Sequence, residues 1–264
     1  MKRPFAAAFV IAAVVAAVVA GAAEAGAVQP YVMFEAGIVS RDVVEEDASI
    51  AGFSYGGRAD STRALATVGV DLNSVVALYA QVGGADLAID EFNGFDSSFE
   101  AAYGAGVRIN FLLSPHPYAL RLFVDASFLH TTAEDSVQAE FGCTPANGCT
   151  APGAFGEYIP RLLEEEIEWN EYAVLMGAGS RYGPYGPYAG IRLSFVDATD
   201  KFRAAPDANF SGEFRAETDL KEEDNFGVFF GTDIFLDRTG KTSLNFEISL
   251  FDQDSFRAAI RRAF

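Results

Sequence analysis

Past residue 28, the chain repeats a two-residue alternation of apolar and polar side chains in ten separate segments. In the segment 63–72, every even position is apolar, whereas the odd positions include Arg63, Gly69 and Asp71. Successive side chains of a β-strand point to opposite faces, so this pattern predicts strands with one wholly apolar face. The predicted strands are 31–39, 63–72, 75–83, 101–111, 120–128, 171–181, 188–195, 225–236, 243–251 and 256–264.

The beginning of the chain has the composition of a signal peptide. Two basic residues precede an unbroken apolar run over residues 6–20, and the small residues of an A-x-A cleavage motif follow. We expect cleavage after Ala27. An uncleaved anchor is the alternative, because the run approaches the ~20 residues that cross a bilayer. Residues 1–27 are therefore predicted to be a signal peptide, and residues 28–264 the exported domain.

Three features favour a membrane barrel over a soluble β-sandwich. The predicted strands have the length of tilted membrane strands, ~9–11 residues, whereas soluble strands are mostly about 5–6 residues long. The polar face is rich in glycine and carries charges of both signs, as a narrow packed interior would. Short turns such as Asn73-Ser74 alternate with long connections such as 132–166. The sequence predicts an all-β fold: a transmembrane antiparallel up-and-down β-barrel of about ten strands, with eight as the alternative.

The signal peptide, the alternating strands and the terminal aromatic residue Phe264 together resemble small bacterial outer-membrane β-barrels of the OmpA-type or OmpX-type superfamily. The resemblance covers residues 28–264 and is specific for architecture rather than for function. It implies a place in the outer membrane and a monomer surrounded by outer-membrane lipids and lipopolysaccharide. It also implies that Phe264 belongs to the signal that the outer-membrane insertion machinery recognises. Arg262 departs from the pattern, because it shares the apolar, outward parity.

The polar parity predicts the contents of the lumen, where six acidic residues meet seven arginines, Arg63 among them. A barrel of eight to ten strands is nearly filled by side chains, whereas open channels typically have ~16–18 strands. We therefore expect Arg–carboxylate pairs to plug the bore, with a charged pore for small solutes as the alternative. The predicted lumen ion-pair network is Glu35, Asp71, Arg108, Arg121, Asp125, Glu171, Arg181, Arg192, Asp233, Glu247, Arg257 and Arg261.

Composition restricts the partners of the chain. With 37 acidic and 19 basic residues, its formal charge is −18, which argues against binding nucleic acid. Two histidines and two cysteines are too few for a zinc site of cysteine and histidine ligands, and we expect no metal site and no cofactor. In an oxidising compartment, Cys143 and Cys149 are expected to form a disulfide, with free thiols as the alternative.

Acidic residues crowd the predicted extracellular loops at 42–61, 88–97, 132–166 and 198–222. They form a solvated acidic surface, or they share divalent cations with lipopolysaccharide phosphates, since Ca²⁺ and Mg²⁺ prefer oxygen ligands. A short helix is predicted after Pro160, because Leu163 and Ile167 would share one of its faces.

Catalysis needs a general base, and only two histidines are available. His116 lies in a short turn between prolines. His130 has Thr132 two residues later, but the lipid A deacylases of this architecture are expected to have serine there, and the parity of His130 points outward. We therefore predict no catalytic residues and no enzymatic activity. The expected role is structural or recognitional, through the extracellular loops; a small-solute pore is the alternative, and a lipid-A-modifying enzyme the third hypothesis.

Overall fold

The computed structural model describes residues 28–45, 56–90, 95–112, 120–143, 157–204 and 214–264. Within these ranges the chain forms one antiparallel sheet. No helix among the described residues is long and apolar enough to cross a membrane. The strands are β1 (Gln29–Glu45), β2 (Gly56–Asp71), β3 (Val76–Ala85), β4 (Ala88–Ile89), β5 (Phe95–Asp96), β6 (Glu100–Leu112), β7 (Arg121–Cys143), β8 (Glu157–Gly179), β9 (Tyr185–Ala204), β10 (Phe214–Glu222), β11 (Phe226–Phe235), β12 (Thr242–Leu250) and β13 (Asp254–Ala263).

Three of the predicted features fall outside this part of the chain. The signal peptide at 1–27, His116 and Cys149 are not among the described residues, and of Cys143 only the backbone is described, at the end of β7. The disulfide between Cys143 and Cys149 therefore stays a prediction.

Ten strands close into a ring. The order of pairing is β1–β2–β3–β6–β7–β8–β9–β11–β12–β13, and β13 pairs with β1 from Tyr31 opposite Ala263 to Ser40 opposite Asp254. All ten pairings are antiparallel, and the nine others join ring strands that follow one another along the chain. The predicted transmembrane up-and-down β-barrel of about ten strands is confirmed as the fold.

The outside of the ring is a belt of exposed apolar side chains. Phe34 and Ile38 on β1 are 60% and 59% exposed, and Phe230 on β11 is 54% exposed. A water-soluble protein rarely exposes so large an apolar patch, whereas a barrel in a bilayer presents such a band to lipid. The membrane-spanning segments that carry the belt are 32–38, 64–70, 76–82, 103–111, 122–128, 172–178, 189–195, 226–234, 244–250 and 256–260.

Several strands continue far beyond the belt, and this corrects the loop predictions. β7 and β8 are each 23 residues long and pair up to Cys143 opposite Glu157, so most of the segment 132–166 is strand. The helix predicted after Pro160 is wrong, because that stretch belongs to β8. Along β8, Glu165 and Ile167 are buried while Glu166 and Glu168 are not, which is the alternation of a strand.

These continuations form an extension of the barrel, which we assign to the extracellular side. The hairpin of β12 and β13 ends at the turn 251–253, and β10 takes its place between the upper parts of β9 and β1. On the other side, β4 pairs with β2 and β5 pairs with β4. The interior of the extension is filled by buried apolar residues that we call the apolar cap: Val43, Ala59, Leu87, Ile89, Phe95, Ala133, Ile167, Trp169, Val196, Ala198 and Leu220.

Glycines in the lumen make room for large side chains. A Cβ atom at Gly106 would overlap the ring of Tyr79, and one at Gly231 would overlap the ring of Tyr188. Both tyrosines lie across the neighbouring strand inside the barrel. The glycine-rich inward parity of the sequence is therefore a packing requirement, because a narrow barrel can hold these rings only where the wall carries no side chain.

Phe264 provides a test of the insertion signal. β13 ends at Ala263, and Phe264 itself is exposed, with its amide donating to the Pro30 carbonyl at 3.0 Å. Deletion of Phe264 keeps the ten residue pairs of the β1–β13 ladder and removes one backbone hydrogen bond, so we expect export to continue while insertion fails. Cell fractionation of the deletion should show protein that is trapped in the periplasm or degraded. Phe264→Tyr is the matched control and should insert; normal outer-membrane levels of the deletion would contradict the role of Phe264.

Candidate functional site

The lower half of the lumen, near the chain termini, contains three separate ion pairs. Arg108 Nε lies 2.7 Å from Asp125 Oδ2, and Arg261 Nη2 lies 2.9 Å from Asp71 Oδ2. The third pair joins Arg121 Nη2 and Asp233 Oδ2 at 3.3 Å. Arg108 and Asp125 face each other on β6 and β7, so the register of these strands sets this pair directly.

A second group lies on β12 and β13. Arg257 Nη2 is 3.1 Å from Glu247 Oε2, and Arg257 Nη1 is 3.6 Å from Glu35 Oε2. The hydroxyl of Tyr188 donates to Glu247 at 2.9 Å, and the amide of Asn245 donates to the Tyr188 oxygen at 2.8 Å. Hydrogen bonds therefore connect the ion pair to the tyrosine that fills this part of the bore.

The densest group, which we call the upper cluster, surrounds Glu171. Its carboxylate oxygens lie 2.7 Å from Arg63, 2.8 Å from Arg192 and 3.0 Å from Arg41. Three guanidinium groups therefore share one buried carboxylate, which satisfies the oxygens on several sides.

Two further carboxylates complete the upper cluster. Arg192 Nε lies 3.0 Å from Asp252 Oδ2, and Arg41 Nη1 lies 3.2 Å from Glu222 Oε1. The hydroxyl of Ser194 donates toward both Glu222 and Asp252, at 2.9 and 3.0 Å. Burial raises the pKa of Glu222, which lies outside the spanning segments, to about 7 despite the opposing effect of Arg41. Arg41, Glu222 and Asp252 were not among the predicted lumen residues, although Arg41 continues the inward parity of β1.

Arg181 is the exception among the predicted lumen residues. It is exposed, its Nε donates to the Gly183 carbonyl at 3.2 Å, and its guanidinium stacks 4.0 Å from the centre of the Phe235 ring. β8 ends at Gly179, so the strand alternation no longer fixes the direction of Arg181. The other predicted members all lie in the ion pairs described above.

The charged side chains at the lower end of the lumen are more exposed than those at the upper end. In the lower half, the side chains of Arg108 and Arg121 are 42% and 40% exposed. In the upper cluster, the side chain of Arg41 is 1% exposed, and the apolar cap lies directly beyond it, with Trp169 5.9 Å from the Arg41 guanidinium. A cavity of about 200 Å³ is lined by residues of the lower half and also by Arg63, Glu171 and Arg192 of the upper cluster. Polar side chains such as Gln81, Asn110 and Arg108 lie among its lining residues.

His130 lies on the outer surface, at the upper edge of the belt. Its Nδ1 is 2.8 Å from Asn170 Oδ1, and its Nε2 is 3.3 Å from Thr132 Oγ1. The ring also packs against Tyr103, with centroids 4.8 Å apart. The side chain of His130 points outward, as its parity predicts. It contacts Asn170 because the two residues pair directly across β7 and β8.

Three carboxylates point inward from the extension, above the apolar cap. Asp135 on β7 pairs directly with Glu165 on β8, and Asp200 on β9 pairs with Ile167, two residues along the same inward face. Glu165 and Asp200 are buried. In the part of the chain that the structure describes, no group of three or more Asp, Glu, His or Cys side chains could hold a metal ion.

Comparison by sequence finds neither a matching family model nor a matching curated protein. By structure, the chain is similar to the outer membrane protease OmpT from Escherichia coli, with a TM-score of 0.50 and 10% identity over 90% of this chain and 96% of that one. The translocator domain of the autotransporter NalP from Neisseria meningitidis has a TM-score of 0.41 and 10% identity, over 89% and 88%. OprG from Pseudomonas aeruginosa has a TM-score of 0.38 and 9% identity, over 89% and 96%.

At 10% identity, the likeness to OmpT concerns the fold alone. The closed ring of tilted strands, the apolar belt around it and the polar side chains inside agree with that likeness. The chain therefore has the fold of a bacterial outer-membrane β-barrel, and its belt of exposed apolar side chains suits it to that membrane.

Proposed function

We propose that this barrel is sealed, and that its role is structural or recognitional, carried by the extracellular extension and its acidic surface. The observation that carries the proposal is the succession of the upper cluster and the apolar cap along the bore. An ion that crosses the barrel would have to separate Arg41 and Arg192 from their carboxylates and then pass a dry apolar layer. The first step takes buried charges away from their partners, and the second takes the ion out of water. Each step costs several kcal/mol.

The outward surface of the extension supports a role in contact with the cell surroundings. Glu166 and Glu168 flank Lys201, whose Nζ lies 3.5 and 2.6 Å from them. Asp42, Glu134 and Asp197 are exposed on neighbouring strands. We expect outer-membrane lipids to contact the belt, and lipopolysaccharide or other surface ligands to contact this rim.

Planar bilayers test the seal. We expect the purified protein to insert without stable conductance steps, because the cap and the upper cluster close the bore. The matched positive control is an open porin in the same bilayers. Reproducible conductance steps from the parent protein would favour the alternative function, a small-solute pore.

Arg192 tests the structural role of the upper cluster. Its loss leaves Glu171 and Asp252 without one of their partners in a buried site, so Arg192→Met should lower the free energy of unfolding by ~3–5 kcal/mol. Arg181→Met is the control and should cost less than about 1 kcal/mol, because that side chain is exposed at a turn. Urea unfolding followed by heat-modifiable mobility on gels measures both. Equal stability of the two variants would argue for a hydrated lumen in place of a sealed one.

One observation favours a second candidate, a lipid-modifying enzyme. Thr132, His130 and Asn170 form a hydrogen-bonded chain in which a hydroxyl adjoins a histidine that a third group orients, the general arrangement of an activated nucleophile. The register places the pair of His130 and Asn170 two positions beyond the pair of Phe128 and Tyr172, which belongs to the belt. The outward direction of His130 therefore suits a lipid substrate.

Release of fatty acid from defined lipids in mixed micelles distinguishes the two functions. The sealed, non-enzymatic barrel predicts no release from lipid A or from phospholipid above a protein-free blank. Release by the parent protein that is abolished in Thr132→Val and His130→Asn, with both variants still folded on gels, would favour the enzyme. Thr199→Val, at a half-buried threonine on β9, is the control for a threonine change elsewhere in the barrel.

A further inference from the structure

A groove lies on the outer surface of the barrel, at the extracellular edge of the belt. It crosses β12, β13, β1 and β2 and reaches β4 and β5, and its volume is about 600 Å³. It forms where the short hairpin of β12 and β13 ends while β1 and β2 continue into the extension. This volume is in the range of pockets that bind small molecules. The groove, which we call the outer groove, therefore lies partly in the belt and partly in the extension.

The part of the outer groove nearest the belt is apolar. Ile248 pairs with Phe256 across β12 and β13, and Phe256 pairs with Ile38 across β13 and β1, so the three side chains lie in one row. They are 47%, 45% and 59% exposed, and Leu250, the next outward residue of β12, is 40% exposed. In a bilayer, this apolar row contacts hydrocarbon.

The lining becomes charged one outward position further along the strands. Asp254 on β13 pairs with Ser40 on β1, and Ser40 pairs with Asp60 on β2. Arg58 follows on the same face of β2, with its Nε 3.6 Å from Asp60 Oδ1 and its Nη2 3.9 Å from Asp254 Oδ2. Successive outward positions of a strand are only ~7 Å apart. One ligand can therefore contact the apolar row and the charged side chains together.

Arg58 is paired only loosely with its acidic neighbours. Both of its distances to carboxylates are longer than the ~2.7–2.9 Å of a charge-assisted hydrogen bond. The side chains of Arg58 and Asp60 are each 52% exposed, and that of Asp254 is 66% exposed. Exposed ion pairs of this kind contribute little to stability. Because Arg58 donates its Nε to the Ser40 hydroxyl, its two Nη groups can still donate to the phosphate of a ligand.

The charge balance of the outer groove restricts the ligand. Its described lining contains one arginine, Arg58, and four aspartates, namely Asp60, Asp86, Asp96 and Asp254. A ligand whose only charge is a phosphate would be attracted by the arginine but repelled by the aspartates. A ligand that carries a phosphate and an ammonium group close together would meet both signs of charge. The groove therefore suits a zwitterionic headgroup attached to an acyl chain.

We propose that the outer groove binds one molecule of phosphatidylethanolamine. An acyl chain lies along the apolar row, the phosphate accepts hydrogen bonds from Arg58, and the ammonium group donates to Asp60 and Asp254. A primary ammonium group has three N–H donors for these carboxylates, whereas the trimethylammonium group of phosphatidylcholine has none. Phosphatidylglycerol and unmodified lipid A carry phosphate without ammonium, so the aspartates disfavour both lipids. The proposal does not depend on whether the bore is sealed.

Native mass spectrometry of the full-length protein, folded in lipid-free detergent, tests the site. Phosphatidylethanolamine, phosphatidylcholine, phosphatidylglycerol and lipid A are added in separate titrations. We expect one phosphatidylethanolamine to bind about tenfold more tightly than each of the others, because it alone meets both signs of charge. Arg58→Gln should remove most of this preference. Arg262→Gln is the matched control and should preserve it, because Arg262 is similarly exposed but lies at the opposite edge of the belt.

Replacement of two aspartates gives the sharper test, because it removes repulsion as well as attraction. The double variant Asp60→Asn, Asp254→Asn should bind phosphatidylethanolamine more weakly than the parent and phosphatidylglycerol more tightly. Equal binding of the four lipids by the parent, or a preference for lipid A, would overturn the proposal. A double variant with unchanged affinity for both phospholipids would also overturn it. Heat-modifiable mobility on gels shows whether each variant is folded; if the double variant is not, Asp60→Asn alone must show the same exchange of preference.

Discussion

The pairing of β13 with β1 is the interaction on which the rest of the molecule depends. In hydrocarbon, an unpaired backbone amide or carbonyl has no water to bond, so a sheet can span a bilayer only if its two edges meet. Ten pairs of residues, from Tyr31 with Ala263 to Ser40 with Asp254, make this closure. Once the ring is closed, alternate side chains of each strand face lipid and the interior. The outward side chains must therefore be apolar, and the inward ones must pack within the lumen.

The charged side chains in the lumen are stabilised in different ways at different depths. In the lower half, paired arginines such as Arg108 and Arg121 keep contact with solvent, so their burial is incomplete and their loss should cost less than full burial would imply. In the upper cluster, almost no solvent remains, and Glu171 has three arginine partners. The apolar cap lies beyond this cluster and is built from side chains of the wall strands and the adjoining β4 and β5 segment.

The alternation of the sequence predicts the ring but not the extension, for a physical reason. Within the belt, lipid requires every outward side chain to be apolar, so the two parities differ sharply. Above it the outward face meets water, and β8 alternates Glu164, Glu166 and Glu168 with a mixed inward face. The register that joins His130 to Asn170, or Asp135 to Glu165, depends on which strands meet, and no local pattern encodes it.

Glu165 and Glu171 show how strongly position decides the chemistry of the same side chain. They lie on one face of β8, six residues apart, with Ile167 and Trp169 between them. Below the cap, Glu171 meets guanidinium groups from β1, β2 and β9. Above the cap, Glu165 meets the carboxyls of neighbouring strands. Ile167 and Trp169 of the cap lie between the two glutamates, so each of them meets a different set of neighbours although strand alternation gives both the same direction.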